Sequence, residues 1–415
     1  MEGRNFLEKL EGILGVDLSY VIRGSFWWVL GRVFSFLSLF ILFSVFAHFV
    51  SKETFGSYQY VISTAGILSL FALPGLDTAF VRAVARGFEK SFLSIFKEKL
   101  KFGMLGSLIS LFISLWYFFQ KNINLAISFL IVSVFLPFLC AFNLYLAFWQ
   151  GKKRFDLQNQ YFVFQNFLAV FLLILVIFFA RENLIFILLA YYFSFTLTEA
   201  IFWLKTLKNI EKNFDFQLSK EIKETVSFGK HLTLIFSLTF FSRQIDKIFI
   251  WHFLGPQTLA NYAFASRVVQ RLGQIIPFSA LALPKMAQRD LKKIKKNIFD
   301  KFLKLFLPST LFFLAYFFSC PYIFKLFFPK YSESIFYSQI LAILLLFSPF
   351  SFLATSFLAE AKKRELYILS FVPEILKIVL FFFSIPLFGI WGAIFSILIS
   401  QIFYSALTLY LFKKL

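Results

Sequence analysis

The chain has 415 residues, of which 59% are hydrophobic and 22% aromatic, with 67 Phe and a formal net charge of +20. This apolar fraction exceeds that of soluble domains and predicts an integral membrane protein that crosses the bilayer many times. Nearly all Lys and Arg lie in short segments between apolar runs. That placement argues against nucleic acid as a partner and favours a role for the charge in membrane orientation.

Runs of roughly 20 apolar residues, the length needed to cross the hydrocarbon core, predict an all-α protein with twelve transmembrane helices. The predicted spans lie near 25–48, 58–80, 102–119, 125–148, 161–179, 184–204, 228–253, 258–284, 303–324, 335–358, 367–385 and 390–411.

The basic residues predict the orientation of these spans. Of the 42 Lys and Arg, 31 fall at the termini and in loops on one side, five fall on the other side, and six lie within spans. Because the positively charged side of a membrane protein faces the cytoplasm, we expect both termini there and a multi-pass protein of the cytoplasmic (inner) membrane.

The two halves of the sequence resemble each other. SKETFGSYQY from Ser51 aligns with GPQTLANYAF from Gly255, and GKKRF from Gly151 aligns with AKKRE from Ala361. These matches occur in the same order in each half. They predict two six-helix lobes, 1–212 and 213–415, related by a parallel pseudo-two-fold repeat.

Four basic residues lie within the seventh and eighth predicted spans. Arg243 and Lys247 are four residues apart, as are Arg267 and Arg271, so each pair shares one helical face. A charge at the centre of a membrane helix costs roughly 2.5–3.5 kcal/mol, so we expect these side chains to face the bundle interior. Guanidinium forks match phosphate oxygens, which favours an anionic substrate such as a pyrophosphate head group. The alternative is that Asp246 and these cations only hold the helices together.

Three further ionisable residues lie nearer to predicted helix ends. Arg32 comes about two turns into the first span, where lining a cavity and reaching the membrane surface are both open interpretations. Asp77 and Glu199 are expected to be interfacial residues that face Arg82 and Lys205.

The acidic residues within spans are the candidates for ion coupling or charge balance. Glu374 and Lys377 are three residues apart in the eleventh predicted span and are expected to pair with each other. With Asp246 and Asp77 they form the candidate set, and H⁺ or Na⁺ is the candidate coupling ion.

No motif of an enzyme is found in the sequence. It lacks the phosphate-binding Gly-x-x-x-x-Gly-Lys-Ser/Thr loop and the His-Glu-x-x-His zinc motif. Cys140 and Cys320 are far apart, and the three His residues are scattered, so no disulfide framework, metal site or cofactor is predicted. We therefore expect a protein without catalytic residues.

Three stretches carry a family resemblance. They are FVSKETFGSYQYVISTAGILSLFALPGLDTAFVRAVARG (Phe49–Gly87), WQGKKRF (Trp149–Phe155) and RQIDKIFIWHFLGPQTLANYAFASRV (Arg243–Val268). Together with the twelve predicted spans, they resemble the polysaccharide (O-antigen type) flippases of the multidrug, oligosaccharidyl-lipid and polysaccharide exporter superfamily.

The resemblance implies export of an undecaprenyl-pyrophosphate-linked oligosaccharide by alternating access, driven by an ion gradient. It also implies a cavity lined by basic residues, which corresponds here to Arg243, Lys247, Arg267, Arg271 and Arg32. We expect a glycan polymerase as a partner of such a flippase.

Three other functions remain open at this stage. A peptidoglycan-precursor flippase usually has fourteen helices rather than twelve. A multidrug or cation exporter of the superfamily also has twelve, but often places an acidic cation site in its first lobe. The third alternative is a membrane scaffold in glycan assembly that transports nothing.

Overall fold

The computed structural model describes residues 34, 37–180, 182–210, 216–273, 291–360 and 362–414, without the side chains of 216–219 and 291–297. These ranges contain α-helices and short 3₁₀-helices and no β-strand, which confirms the all-α prediction for the described part of the chain.

The described ranges form fifteen α-helices. They are α1 (Leu37–Phe49), α2 (Lys52–Leu68), α3 (Gly75–Ala85), α4 (Phe92–Phe119), α5 (Ile123–Phe142), α6 (Leu144–Gly151), α7 (Phe155–Ala180), α8 (Leu184–Leu207), α9 (Phe216–Leu254), α10 (Pro256–Gly273), α11 (Leu291–Phe327), α12 (Ser334–Leu341), α13 (Pro349–Ala359), α14 (Lys363–Phe388) and α15 (Ile390–Lys414).

Nine of the predicted spans have apolar counterparts in the described part of the chain. Eight stretches are long and apolar enough to cross a membrane, and a ninth is formed if α2 and α3, bent by 47° at their junction, count as one span. Pro74 precedes α3 at this bend, where it begins the new helix without a backbone donor.

The first, seventh and eighth predicted spans coincide with α1, α9 and α10, which are helical over their described residues. The described part of α1 is short, and polar residues lower the mean apolar character of α9 and of the described part of α10. Because the described parts of these three helices do not meet the length and hydropathy criterion for a membrane span, the count of twelve transmembrane helices stays a prediction.

Contacts divide the chain into two compact units. The first unit comprises Met1–Phe43 and Leu68–Ile235, and the second comprises Ser44–Ile67 and Phe236–Leu415. All three boundaries fall within helices, and the last one divides α9, which contributes its first half to one unit and its second half to the other. The two lobes inferred from the sequence repeat stay a prediction.

In the first unit, aromatic side chains of α3, α4, α6 and α8 form one buried cluster that includes Phe80, Phe92, Tyr145 and Trp203. The N–H of Gly75 donates to Oγ1 of Thr233 at 3.0 Å. This bond satisfies one of the N–H groups that the start of α3 leaves without a partner inside the helix.

In the second unit, α2 packs closely on α10. A Cβ atom on Gly56 would lie 1.9 Å from the carbonyl oxygen of Pro256, so no larger residue fits there. The ring of the neighbouring residue Phe55 lies 4.8 Å from that of Phe264 on α10. A separate buried cluster around Phe302, Leu353 and Phe357 joins α11 to α13.

Candidate functional site

Three helices of the second unit pack around α9. Asp246 of α9 accepts a hydrogen bond from the hydroxyl of Tyr262 on α10 at 2.6 Å. Trp251 stacks on Tyr60 of α2, with ring centroids 4.6 Å apart. Ser242 donates to Glu374 of α14. These contacts fix which face of α9 meets which neighbour.

Arg243 and Lys247 fall between two of those faces. Successive residues of a helix are rotated by about 100°, so both lie between Asp246, which faces α10, and Trp251, which faces α2. Lys247 is buried, whereas Arg243 is exposed although it lies on a face whose neighbours are buried. Arg243 is therefore the exposed position on the face of α9 that lies between α10 and α2.

Arg267 and Arg271 of α10 share the helical face of Phe264, the residue that packs on Phe55 of α2. Both arginines are half-buried. Arg267 lies within electrostatic range of Lys247. The structure thus brings the basic residues of α9 and α10 to the sides of those helices that border α2.

Gln59 and Ser63 of α2 lie on the same helical side as Phe55, and both are buried. Uncharged polar side chains therefore lie on the side of α2 that packs on α10. Neither residue was predicted from the sequence, because only their position relative to Phe55 shows which face they occupy.

Asp246 and Lys247 form a buried ion pair. Nζ of Lys247 lies 3.2 Å from Oδ1 of Asp246, and both side chains are less than 10% exposed. Lys247 also donates to the backbone oxygen of Arg243 at 2.8 Å. Because its ammonium group is neutralised inside the protein, Lys247 has less charge available for an anion than the sequence analysis assumed.

Glu374 and Lys377 form the ion pair that their spacing predicted, and Ser242 completes it by donating to the carboxylate of Glu374. Lys377 lies within electrostatic range of Lys247. The two ion pairs therefore belong to one charged region shared by α9 and α14.

A cavity of about 310 Å³ lies on another face of α10, in the second unit. Among the described residues, its polar lining consists of amide and hydroxyl side chains without formal charge, and the rest is aliphatic, aromatic or glycine. The polar members are Ser266, Gln270, Ser348, Ser351, Gln401 and Tyr404.

Two acidic residues of the first unit differ from their predicted surroundings. Asp77 pairs with Lys99 of α4 rather than with Arg82, and the Lys99 side chain is only 3% exposed. Glu199 is buried and accepts a hydrogen bond from Gln165, so the expectation that it faces Lys205 at the membrane surface was wrong. Spacing along one helix could not identify partners on other helices.

Arg32 lies outside the described residues, so its two interpretations stay as the sequence left them.

Eight or nine apolar stretches long enough to cross a membrane, counted over the described residues, indicate a multi-pass helical membrane protein. Residues 21–289 match the family described as polysaccharide biosynthesis protein, and the chain belongs to that family. No curated protein matches the sequence.

Solved structures of the same fold are transporters. The lipid II flippase MurJ in an inward closed conformation is 15% identical, with a TM-score of 0.69 over 94% of this chain and 87% of that one. An inward-facing multidrug resistance MATE transporter of the MOP superfamily is 14% identical, with a TM-score of 0.64 over 92% and 94%.

A third similar structure is a MOP superfamily transporter from Pyrococcus furiosus, whose binding pocket is described as having reverse polarity. It is 13% identical, with a TM-score of 0.59 over 95% of each chain. These likenesses show that the fold is shared, and the family match shows membership.

Proposed function

We propose that the protein is a flippase that moves an undecaprenyl-pyrophosphate-linked oligosaccharide, such as an O-antigen or other surface polysaccharide repeat unit, across the cytoplasmic membrane. The observation that carries the proposal is the charge balance of the second unit. In the parts of α9, α10 and α14 that belong to this unit and to the predicted spans (236–253, 258–273 and 367–385), five basic side chains accompany two acidic ones: Arg243, Lys247, Arg267, Arg271 and Lys377 against Asp246 and Glu374.

A pyrophosphate head group suits this balance. Both carboxylates already have a lysine partner, and the three arginines are the further positive charges of this region. Arginine offers planar pairs of N–H donors that match phosphate oxygens, and the interaction is strong where water is scarce. The same positive field would repel a cationic drug. A multidrug or cation exporter therefore fits these charges less well than a flippase does.

The uncharged cavity beside α10 suits the glycan. Ser266 and Gln270 lie on this helix, Ser266 about 100–140° around it from Arg267 and Arg271 and Gln270 about 60–100° from them. Amides and hydroxyls bind sugar hydroxyls as donors and acceptors, and small-molecule sites of about 300 Å³ commonly combine a few such groups with apolar walls. One helix would thus contact phosphate on one side and sugar on another.

In the proposed cycle, the two lobes alternate in exposing this region to the cytoplasm and to the outer leaflet, while the polyprenyl chain stays in the bilayer. An ion gradient drives the cycle. Both termini lie in the cytoplasm, and a glycan polymerase receives the product.

Reconstitution in liposomes tests the function. The purified protein should move a labelled polyprenyl-pyrophosphate oligosaccharide from the inner to the outer leaflet, where an added glycosidase can remove the label. A scaffold would move none. An exporter of cations would bind positively charged dyes instead, and a peptidoglycan-precursor flippase would prefer a lipid-linked amino-sugar peptide to the oligosaccharide.

A further inference from the structure

Glu199 is a buried acid with one unused oxygen. Gln165 of α7 donates to its Oε1 at 2.8 Å, and the hydroxyl of Tyr145 on α6 donates to the amide oxygen of Gln165 at 3.2 Å. All three residues are buried. Oε2 of Glu199 is also buried, yet it has no hydrogen-bond partner among the described residues.

The other buried or half-buried acids of the predicted spans differ in this respect. Asp246 pairs with Lys247, Glu374 with Lys377, and Asp77 with Lys99. Among the carboxylate oxygens of the described residues, Oε2 of Glu199 is the one that is fully buried without a donor. An ionised carboxylate in this position would lack a partner for half of its charge.

The charges around Glu199 also favour a neutral side chain. Glu199 lies within electrostatic range of Lys99 and Asp77, which already neutralise each other. With Glu199 ionised, the group of three would carry a net negative charge inside the protein. With a proton on Glu199, the group is neutral.

A proton satisfies this site better than a metal cation. Gln165 directs its N–H group toward Glu199, and a cation bound at the carboxylate would face that donor. Within the described residues, no group of three or more His, Cys, Asp or Glu side chains is placed to hold a metal ion. A hydroxyl proton on Oε2 needs no further ligands.

We propose that Glu199 is the proton-carrying residue of the transport cycle, with its Oε2 protonated in this conformation and deprotonated when the helices around it rearrange. The coupling role rests on the proposed function, whereas the protonation does not. Titratable or charged groups near Glu199 come from each neighbouring helix. They are Asp77 of α3, Lys99 of α4, Cys140 of α5, Tyr145 of α6 and, through Tyr145, Tyr161 of α7.

A route for protons adjoins this group. A cavity of about 180 Å³ is lined by Asp77, Asn143 and Gln150, together with small and aliphatic side chains. The side chain of Asp77 is 37% exposed, whereas that of its partner Lys99 is 3% exposed. Asp77 is therefore the member of the group that borders a cavity, and we expect a proton to reach Glu199 by way of Asp77 when its pair with Lys99 loosens.

Infrared spectroscopy of the full chain in lipid nanodiscs tests the protonation. The wild type should show the carbonyl band of a protonated carboxylic acid at neutral pH, and Glu199→Gln should remove it. Glu53→Gln, at an exposed position in the first turn of α2, should leave the band unchanged. An identical spectrum for the wild type and Glu199→Gln would overturn the proposal, as would loss of the band on adding Na⁺ at constant pH.

Transport in liposomes tests the coupling. If one proton is exchanged per lipid, a gradient of one pH unit should shift the steady-state leaflet ratio of the glycolipid about tenfold in the wild type. Glu199→Gln mimics the neutral acid and should shift it less than twofold, while Glu53→Gln should match the wild type. A full shift in Glu199→Gln would refute the coupling role. If the wild type moved no glycolipid, the proposed function would fail while the infrared result still decided the protonation.

Discussion

A Cβ atom on Gly75 of α3 would lie 2.4 Å from the carbonyl oxygen of Gly229 on α9. Real Cβ atoms do not approach backbone oxygens so closely, so these helices of the first unit meet backbone to backbone at this point. Thr233 adds a hydrogen bond to the N–H of Gly75 one turn along α9. Small residues permit this kind of close approach in membrane proteins, where dispersion and hydrogen bonds replace the hydrophobic effect between helices.

Gly75→Ala should therefore lower the thermal stability of the purified protein. Separating the two backbones costs about 1–3 kcal/mol, more than the helix propensity that Ala gains over Gly. Gly273→Ala is the matched control, because among the described residues a Cβ there would meet only Leu345, at 3.8 Å. Thermal unfolding in detergent measures both. Equal Tm values for the two variants would contradict the close packing.

The buried pair of Asp246 and Lys247 leads to a second prediction. Removing one member leaves the other charge without a partner, which costs about 3–5 kcal/mol, whereas replacing both with neutral residues costs much less. Asp246→Asn and Lys247→Met should each be destabilising. The double variant should be more stable than either and should keep most of its flipping activity.

A double variant that folds well but moves no glycolipid would show that Lys247 or Asp246 contributes directly to transport. In that case the ion pair would be part of the substrate or ion site rather than a packing element. Thermal unfolding and liposome flipping on the same preparations separate these outcomes.

The sequence predicted the helices better than the partners of the side chains on them. Nine spans could be read from apolar length alone, because the bilayer sets that length. The pairing of Glu374 with Lys377 was also predictable, since both lie on one turn of one helix.

Contacts between helices were not predictable in this way. The partners of Asp77 and Glu199 come from other helices, and no spacing in a single sequence reports them. Tyr262, which donates to Asp246, and Gly229, which admits Gly75, were missed for the same reason. A buried acid in the sixth predicted span was itself a signal, but its position near the span's end made an interfacial role the simpler interpretation.

The arginines of α10 lead to a third prediction. Arg267→Gln and Arg271→Gln should each weaken binding of a polyprenyl pyrophosphate about tenfold or more, the effect of losing one charge-assisted hydrogen-bonding group. Arg→Lys at either position keeps the charge but loses the paired donors, so binding should be intermediate. Lys325→Gln, at the exposed end of α11, is the control.

Comparing ligands with one phosphate and with two phosphates makes this binding test more specific. The wild type should prefer a diphosphate to a monophosphate head group, and the preference should shrink in the Arg→Gln variants. Thermal unfolding of each variant shows whether it is folded. Unchanged affinity in folded Arg267→Gln and Arg271→Gln proteins would remove both residues from the substrate site.

The cavity beside α10 leads to the last prediction, which separates recognition of sugar from recognition of phosphate. Gln401 lines the cavity from α15 and Gln270 lines it from α10. Gln401→Leu keeps the side-chain size but removes a donor and an acceptor, so the binding of a glycan-bearing lipid should weaken while that of the bare polyprenyl pyrophosphate should not change. Ile397→Val, at an apolar position of the same lining, is the control and should affect the binding of neither ligand.

Binding of both lipids to each variant in nanodiscs gives the comparison. Equal weakening of both ligands would assign Gln401 to the fold, and no change for either would exclude the cavity as the place where the glycan binds.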